Sequence, residues 1–128
     1  MPIEVLPLED MPGVLCWRVD GAWTIEDFYG AVTATQSLLA TDPKYANVIV
    51  DASQATVRPK GNLLGPFRHA LTRIKLDTVV YVRNGGGSKI IELLVNVVIR
   101  TNPKLSVKNF RFAKTMQEAL GQLGVARI

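Results

Sequence analysis

Residues 81–94, YVRNGGGSKIIELL, combine the residue types that proteins use to hold phosphate groups. Three glycines, Gly85–Gly87, precede Ser88 and Lys89 and then a run of aliphatic residues. A Walker A loop requires G-x-x-x-x-G-K-[ST], but here serine comes before lysine and the first glycine is missing. A dinucleotide loop requires G-x-G-x-x-G after the first strand, but position 90 is isoleucine and the stretch lies in mid-chain. Neither nucleotide-binding motif is present.

Two interpretations of this loop remain. In the simpler one it is a strand-to-helix turn, with Ser88 as the N-cap of the helix. In the other it contributes to a weak anion pocket, because ligands of open α/β sheets bind outside the carboxyl ends of the strands. The loops that follow Asp51 and Arg83 would then emerge at one edge. The candidate anion-binding residues are Lys60, Arg83, Ser88 and Lys89.

The remaining reactive residues argue against catalysis. The chain has one histidine, His69, and one cysteine, Cys16, which leaves few pairings of a nucleophile with a base and too few ligands for a metal site of the usual kind. Asp51, at the end of an apolar strand, is the best acid/base candidate, although no partner is evident from the sequence. We therefore predict a protein that is not an enzyme, with no catalytic residues, no metal and no cofactor.

Composition and charge indicate an ordinary globular protein. The 128 residues suit one domain, residues 1–128, and the net charge is +4. No acid occurs between Asp51 and Asp77, a stretch that contains Arg58, Lys60, Arg68, Arg73 and Lys75. This favours a small anion or an acidic protein as partner, and we predict no nucleic-acid partner. The absence of a signal peptide or transmembrane segment, and a lone cysteine in an apolar run, predict a cytoplasmic protein.

The elements that would position these residues follow from turn signals and apolar spacing. Two extended runs flank the turn-forming Asp10–Gly13, which predicts a β-hairpin. Thr24 and Asp27 form a capping-box start for a first helix, which runs to about Ala40 with apolar residues at helical spacing. Those predicted to face the core are Ile25, Phe28, Tyr29, Val32 and Leu39.

The second half of the chain alternates strands and helices. ANVIVDAS predicts a buried central strand, and after the loop QATVRPKG a second helix begins, capped by Asn62. A strand at Thr78–Arg83, a helix at Ser88–Thr101 and a strand at Val107–Ala113 follow. A full capping box from Thr115 to Glu118 opens the last helix, which Gly121 or Gly124 ends. The order β-β-α-β-α-β-α-β-α predicts a four- or five-stranded mixed, mostly parallel sheet with flanking helices.

This order, and certain local sequences, resemble the SpoIIAA-like superfamily, which contains the STAS domains (sulfate transporter and anti-sigma factor antagonist). VIVDASQATVRPKGNLL is similar to the family's strand, Asp-Leu-Ser, threonine and Asp-Ser-Ser-Gly; Asp51, Ser53 and Thr56 fit its first part. The ending NFRFAKTMQEALGQL is similar to the family's last strand and capped helix. The resemblance implies a SpoIIAA-like fold and a non-catalytic interaction or regulatory module that binds a protein partner or itself.

The chain departs from the family where regulatory members carry their phosphoacceptor serine. It reads Pro59-Lys60-Gly61-Asn62 there, and an ammonium group cannot accept phosphate as a serine hydroxyl does. We therefore predict a divergent member without the serine phosphorylation switch; Ser53 lies nearby but not at the matching position. The alternative function is a small-ligand carrier or sensor, whose anionic or lipid-like ligand binds at the strand-end loops.

The helix Ser88–Thr101 has more apolar surface than one sheet contact requires. Its polar residues fall within about a quarter of the helix circumference, whereas a helix packed on one face needs an apolar stripe only a little over 100° wide. Neighbouring helices, a ligand or a second copy of the chain must cover the surplus. Because one patch can meet itself across a two-fold axis, we predict a homodimer through this helix; the alternative is a helix enclosed in the core.

Overall fold

The structure is a computed structural model, which describes residues 2–8, 11–42, 44–57, 62–82, 88–102 and 104–123; for Val57 and residues 88–90 it describes the backbone only. Nine elements follow one another in the predicted order. Their bounds are β1 Ile3–Pro7, β2 Val14–Ala22, α1 Ile25–Thr41, β3 Asn47–Val57, α2 Leu64–Arg73, β4 Leu76–Val82, α3 Ser88–Thr101, β5 Val107–Ala113 and α4 Met116–Gln122. None of the described helices is both long and apolar enough to cross a lipid bilayer.

The strands form one five-stranded sheet in the order β1-β2-β3-β4-β5. β1 pairs antiparallel with β2, and the other three pairings are parallel, so the predicted mixed, mostly parallel sheet is confirmed. Right-handed connections between parallel strands added in one direction place every connecting helix on the same face. The packing agrees, because buried residues of α1, α2 and α3 share one core with the sheet.

The two faces of the sheet carry alternate residues of each strand. Leu15, Val48 and Val79 lie in register across β2, β3 and β4 and pack under α1–α3. The next row, which includes Ile49 and Val80, packs in a smaller cluster on the opposite face. Of the described helices, α4 alone contributes to that cluster, through the fully buried Ala119 and its neighbours. The helix layer is therefore thick on one face and thin on the other.

The capping signals are confirmed for α1 and in part for α4. Thr24 accepts a hydrogen bond from the Asp27 N–H at 3.0 Å, and the Asp27 carboxylate accepts one from the Thr24 N–H at 2.8 Å. In α4, Thr115 accepts from the Glu118 N–H at 3.1 Å, but the Glu118 carboxylate reaches the Lys114 N–H instead of closing a full capping box.

Two local predictions were wrong. Tyr29 is exposed, because Phe28, Ala31, Val32 and Thr35 form the buried face of α1. The prediction that Gly121 or Gly124 ends α4 stays open, because Gly121 lies inside the helix and Gly124 lies outside the described residues. Residues 54–57 extend β3 instead of forming a loop, because they pair with the end of β2 beyond the last residue that pairs with β4.

The second helix begins one residue later than predicted, yet Asn62 still serves it. The structural cap of α2 is Leu63, which makes no side-chain hydrogen bond. The Asn62 side chain nevertheless accepts a hydrogen bond from the Leu64 N–H at 2.9 Å, so one orphan donor of the first turn is satisfied. Pro66 is buried in this first turn, where the missing proline N–H costs nothing.

One buried polar contact joins α1 to the sheet. The Trp17 indole N–H donates to the Thr35 hydroxyl at 2.8 Å, and that hydroxyl donates to the Ala31 carbonyl at 2.8 Å. Thr35 is fully buried, and Trp17 is 5% exposed. Because a buried N–H without a partner is costly, this chain of hydrogen bonds fixes both the tilt of α1 and the orientation of the Trp17 ring.

We expect Thr35→Val to lower the free energy of unfolding by about 1–3 kcal/mol, because valine keeps the shape of threonine but leaves the Trp17 N–H unpaired. Denaturant unfolding measures the change. The control is Thr41→Val at the exposed end of α1, which should change stability by no more than about 0.5 kcal/mol. In a Trp17→Phe background the Thr35→Val cost should largely disappear; an unchanged cost would contradict the role given to this bond.

Candidate functional site

The four predicted anion-binding residues lie outside the described residues or have only their backbone described. Lys60 and Arg83 lie outside the described residues. Ser88 and Lys89 form the first turn of α3, with the backbone described and the side chains not. The anion pocket at the strand-end loops therefore stays a prediction, as does the choice between it and a simple turn.

The structure contains a cavity between the sheet and the layer formed by α1, α2 and α3. Its volume is about 90 Å³, and all five strands contribute to its floor. α2 supplies most of its roof through Phe67, Ala70, Leu71 and Ile74, while Phe28 of α1 and two residues of α3 close its sides. The walls are almost entirely carbon, and none of the described lining residues carries a charge.

The cavity exists where small side chains meet a helix that is held in place at its end. Ala70 on the inner face of α2 and Ala52 on β3 both line it, and an alanine contributes little volume to a core. The Ser106 hydroxyl lies 2.9 Å from the Leu71 carbonyl and 2.5 Å from the Ile74 carbonyl, which ties the last turn of α2 to the chain just before β5. α2 is thereby held over the sheet even though its inner face does not fill the space.

Aromatic rings form one end of the cavity. Phe28 stands at the centre, with ring centroids 5.7 Å from Trp17, 6.1 Å from Trp23 and 5.5 Å from Phe67. The Trp17–Phe28 pair is edge-to-face, at 73°, and such arrangements are favourable because the positive edge of one ring meets the negative face of the other. All four rings line the cavity.

The polar atoms of the aromatic wall are few and partly engaged elsewhere. The Trp17 N–H is already bonded to Thr35, so this ring offers the cavity its carbon surface. Tyr81 also lines the cavity, and burial raises the pKa of its phenol to about 12, still further above physiological pH, where a phenol is neutral in any case. The site is therefore uncharged as well as apolar.

Three of the less buried residues of the wall lie near the carboxyl ends of the strands. Trp23 follows the end of β2, and Val50 and Tyr81 pair with each other one residue before the β3–β4 pairing ends. All three are half-buried, whereas lining residues earlier in these strands, such as Val48 and Val79, are buried. The cavity thus reaches the same edge of the sheet at which the sequence predicted a ligand site.

The other reactive residues lie away from this cavity. Asp51 follows Val50 and precedes Ala52, both of which face the helix layer, so its side chain is on the opposite face of β3. Its carboxylate accepts hydrogen bonds from the Ser53 hydroxyl at 2.6 Å and from the Ser53 N–H at 3.1 Å. Asp51 is therefore bound to its own strand rather than to a loop.

Cys16 and His69 are also accounted for by their surroundings. Cys16 is buried, as the sequence indicated, and burial together with the nearby Asp51 raises its thiol pKa to about 11, although Arg18 opposes the shift. A thiol that remains protonated is a poor nucleophile. His69 is half-buried beside α1, with its ring edge-on to Tyr29 at a centroid distance of 5.2 Å.

Comparison with solved structures identifies the fold. The chain superposes with a TM-score of 0.57 on an uncharacterized protein of the DUF3478 family with a SpoIIAA-like fold, from Shewanella loihica PV-4. The two sequences are 17% identical, and the match covers 94% of this chain and 91% of that one. This protein therefore has a SpoIIAA-like fold, as its sequence predicted. No protein-family model and no curated protein matches the sequence.

The sequence did not reveal the cavity. Trp17, Phe67 and their neighbours have the spacing of ordinary core residues. This spacing is the same whether the core is completely filled or contains a cavity. Trp17 is buried and Trp23 is half-buried, as ordinary core and rim residues would be, so their burial alone does not indicate a site. The one available signal was Ala70 within the apolar stripe of α2.

We expect a Tyr81→Phe variant to lose a phenol titration step near pH 12, measured by ultraviolet absorbance after rapid mixing from neutral pH. Because the folded state holds the phenol neutral above its ordinary pKa of 10, this group stabilises the fold below pH 10. That stability is lost as the pH rises towards 12. Tyr29→Phe, at the surface, should leave the step unchanged. A step that persists in Tyr81→Phe would contradict the burial of this side chain.

Proposed function

We propose that this protein is a non-catalytic binding module of SpoIIAA-like fold whose small apolar ligand occupies the cavity between the sheet and α1–α3. The observation that carries the proposal is the cavity itself, which is lined by carbon and reaches the carboxyl edge of the sheet. Pockets of this kind, concave and mostly apolar, are the usual binding sites of small molecules. Of the two functions that the sequence left open, the small-ligand carrier or sensor has the more specific support.

The energy of an empty cavity supports the same choice. Enclosed cavities in protein cores cost about 24 cal/mol for each Å³, so this partly open space of about 90 Å³ costs at most about 2 kcal/mol when it is left unfilled. A small domain has only about 5–15 kcal/mol of net stability, so this is a considerable fraction. A ligand that restores the missing contacts recovers part of that free energy.

The cavity has no group suited to chemistry. Its walls offer no described acid, base or nucleophile at neutral pH, and the candidate acid Asp51 and the thiol of Cys16 lie on the other face of the sheet. Binding without reaction is the function that this surface supports. The anion site that the sequence predicts at Lys60 and Arg83 stays a separate prediction, because both residues lie outside the described part of the chain.

Xenon tests this proposal directly, because it enters dry apolar cavities and binds through dispersion alone. We expect xenon to shift the methyl resonances of Val48 and Val95, which line the cavity, in nuclear magnetic resonance spectra. Ala70→Leu should abolish the shifts, because leucine fills the space. Ala34→Leu, the same substitution on the exposed face of α1, should leave them in place. Shifts that are absent from the unaltered protein, or that survive in Ala70→Leu, would overturn the proposal.

The outer face of α3 supports self-association as a second candidate function. Ile91, Val95 and Val98 of this helix are buried in the core, which covers one part of its apolar surface. Leu93 and Val97, one turn apart, are 65% and 44% exposed. An exposed aliphatic pair of this kind can meet its own copy across a two-fold axis, as in the predicted homodimer.

We expect Leu93→Lys to convert a dimer into a monomer at micromolar concentration, measured by light scattering, because it places a charge in an apolar contact. The melting temperature should change little, since Leu93 lies outside the core. Ala40→Lys, on the exposed face of α1, should leave the dimer intact. If the unaltered protein is a monomer, α3 is not an interface and this candidate fails.

A further inference from the structure

We infer that the ligand of the cavity is a compact, uncharged molecule built on a single aromatic ring. This inference rests on the proposed function and specifies its ligand class. Three features of the cavity carry it: its volume, the rings at one end and the absence of charge among the described lining residues. Each excludes a different set of alternatives.

The volume limits the ligand to about one ring. The volume of the cavity is about 90 Å³. An engineered core cavity of ~150 Å³ is large enough for benzene. The space here is smaller, so one ring is the upper limit, and the edge of that ring would have to extend toward the half-buried Val50 and Tyr81. A bicyclic ring system or a long acyl chain exceeds this volume.

The aromatic end favours a ring over an aliphatic group of equal size. Trp17, Trp23 and Phe67 surround Phe28 at centroid distances of 5.5–6.1 Å, inside the range of favourable ring contacts. These rings present both edges and faces, as the interplanar angles of 37–73° show. A bound aromatic ring adds its own quadrupole to this cluster, whereas a saturated ring gains dispersion only. We expect aromatic ligands to bind two- to tenfold more tightly than saturated ones of the same size.

The lack of charge among the lining residues excludes ionised ligands from the interior. A carboxylate or ammonium in the cavity would lose its hydration without a described lining side chain of opposite charge to replace it. The neutral Tyr81 phenol cannot supply that charge at physiological pH. Any ionised substituent must therefore lie outside the cavity, at the carboxyl edge.

The test compares benzene, cyclohexane and benzoate as probes, with xenon as the reference. Dissociation constants come from chemical-shift titrations of the cavity methyl groups in the full chain. We expect benzene to bind two- to tenfold more tightly than cyclohexane and benzoate not to bind. Phe28→Leu should reduce the preference for benzene because it removes the central ring. Phe112→Leu is the matched control, because Phe112 makes ring contacts but does not line the cavity.

The possible results distinguish a wrong ligand class from a wrong proposed function. If cyclohexane binds as tightly as benzene to the unaltered protein, the aromatic assignment is overturned while the cavity still binds apolar molecules. If benzoate binds as tightly as benzene at the same methyl groups, the ligand need not be uncharged. If xenon binds and neither ring does, the cavity is too small for the proposed class. If xenon also fails, the proposed function itself is wrong.

Discussion

The structure depends on one topological constraint, which is that the strands are added to the sheet in sequence order. With β2 to β5 parallel and consecutive, each right-handed connection returns on the same side, so α1, α2 and α3 share one face. There is no reversal of strand order within this parallel set, and hence no crevice between two divergent connections of the kind used by doubly wound folds. The space that the described residues offer a ligand lies instead under the helices.

The same constraint makes the helical cover of the two faces of the sheet unequal. Three helices must cover one face, and α2, between the other two, is only ten residues long. The neighbouring helices and the Ser106 hydrogen bonds to its last turn hold α2 in position. The helix therefore cannot move closer to the sheet to fill the space beside a small residue such as Ala70. The opposite face of the sheet has less helical cover, because only the short α4 among the described helices packs there, on a smaller cluster of buried residues.

The elements of this fold could be read from the sequence because their signals are local. The Thr24 capping box, the helix Ser88–Thr101 and the strand Val107–Ala113 each depend on residues within a few positions of one another. The extension of β3 to Val57 was missed because it depends on pairing with β2, which is remote in the chain. The cavity was missed for a similar reason. Its volume depends on how side chains from distant segments of the chain pack together, and no single segment shows this.

The two tryptophans of the chain, Trp17 and Trp23, both line the cavity. All indole fluorescence of the protein therefore originates at this one place. Trp17 is buried with its N–H bonded to Thr35, whereas Trp23 is half-buried, so the two emitters sample the interior and the more solvated end of the same space. The chain carries an intrinsic optical reporter of what occupies its core, with no indole emission from elsewhere in the molecule.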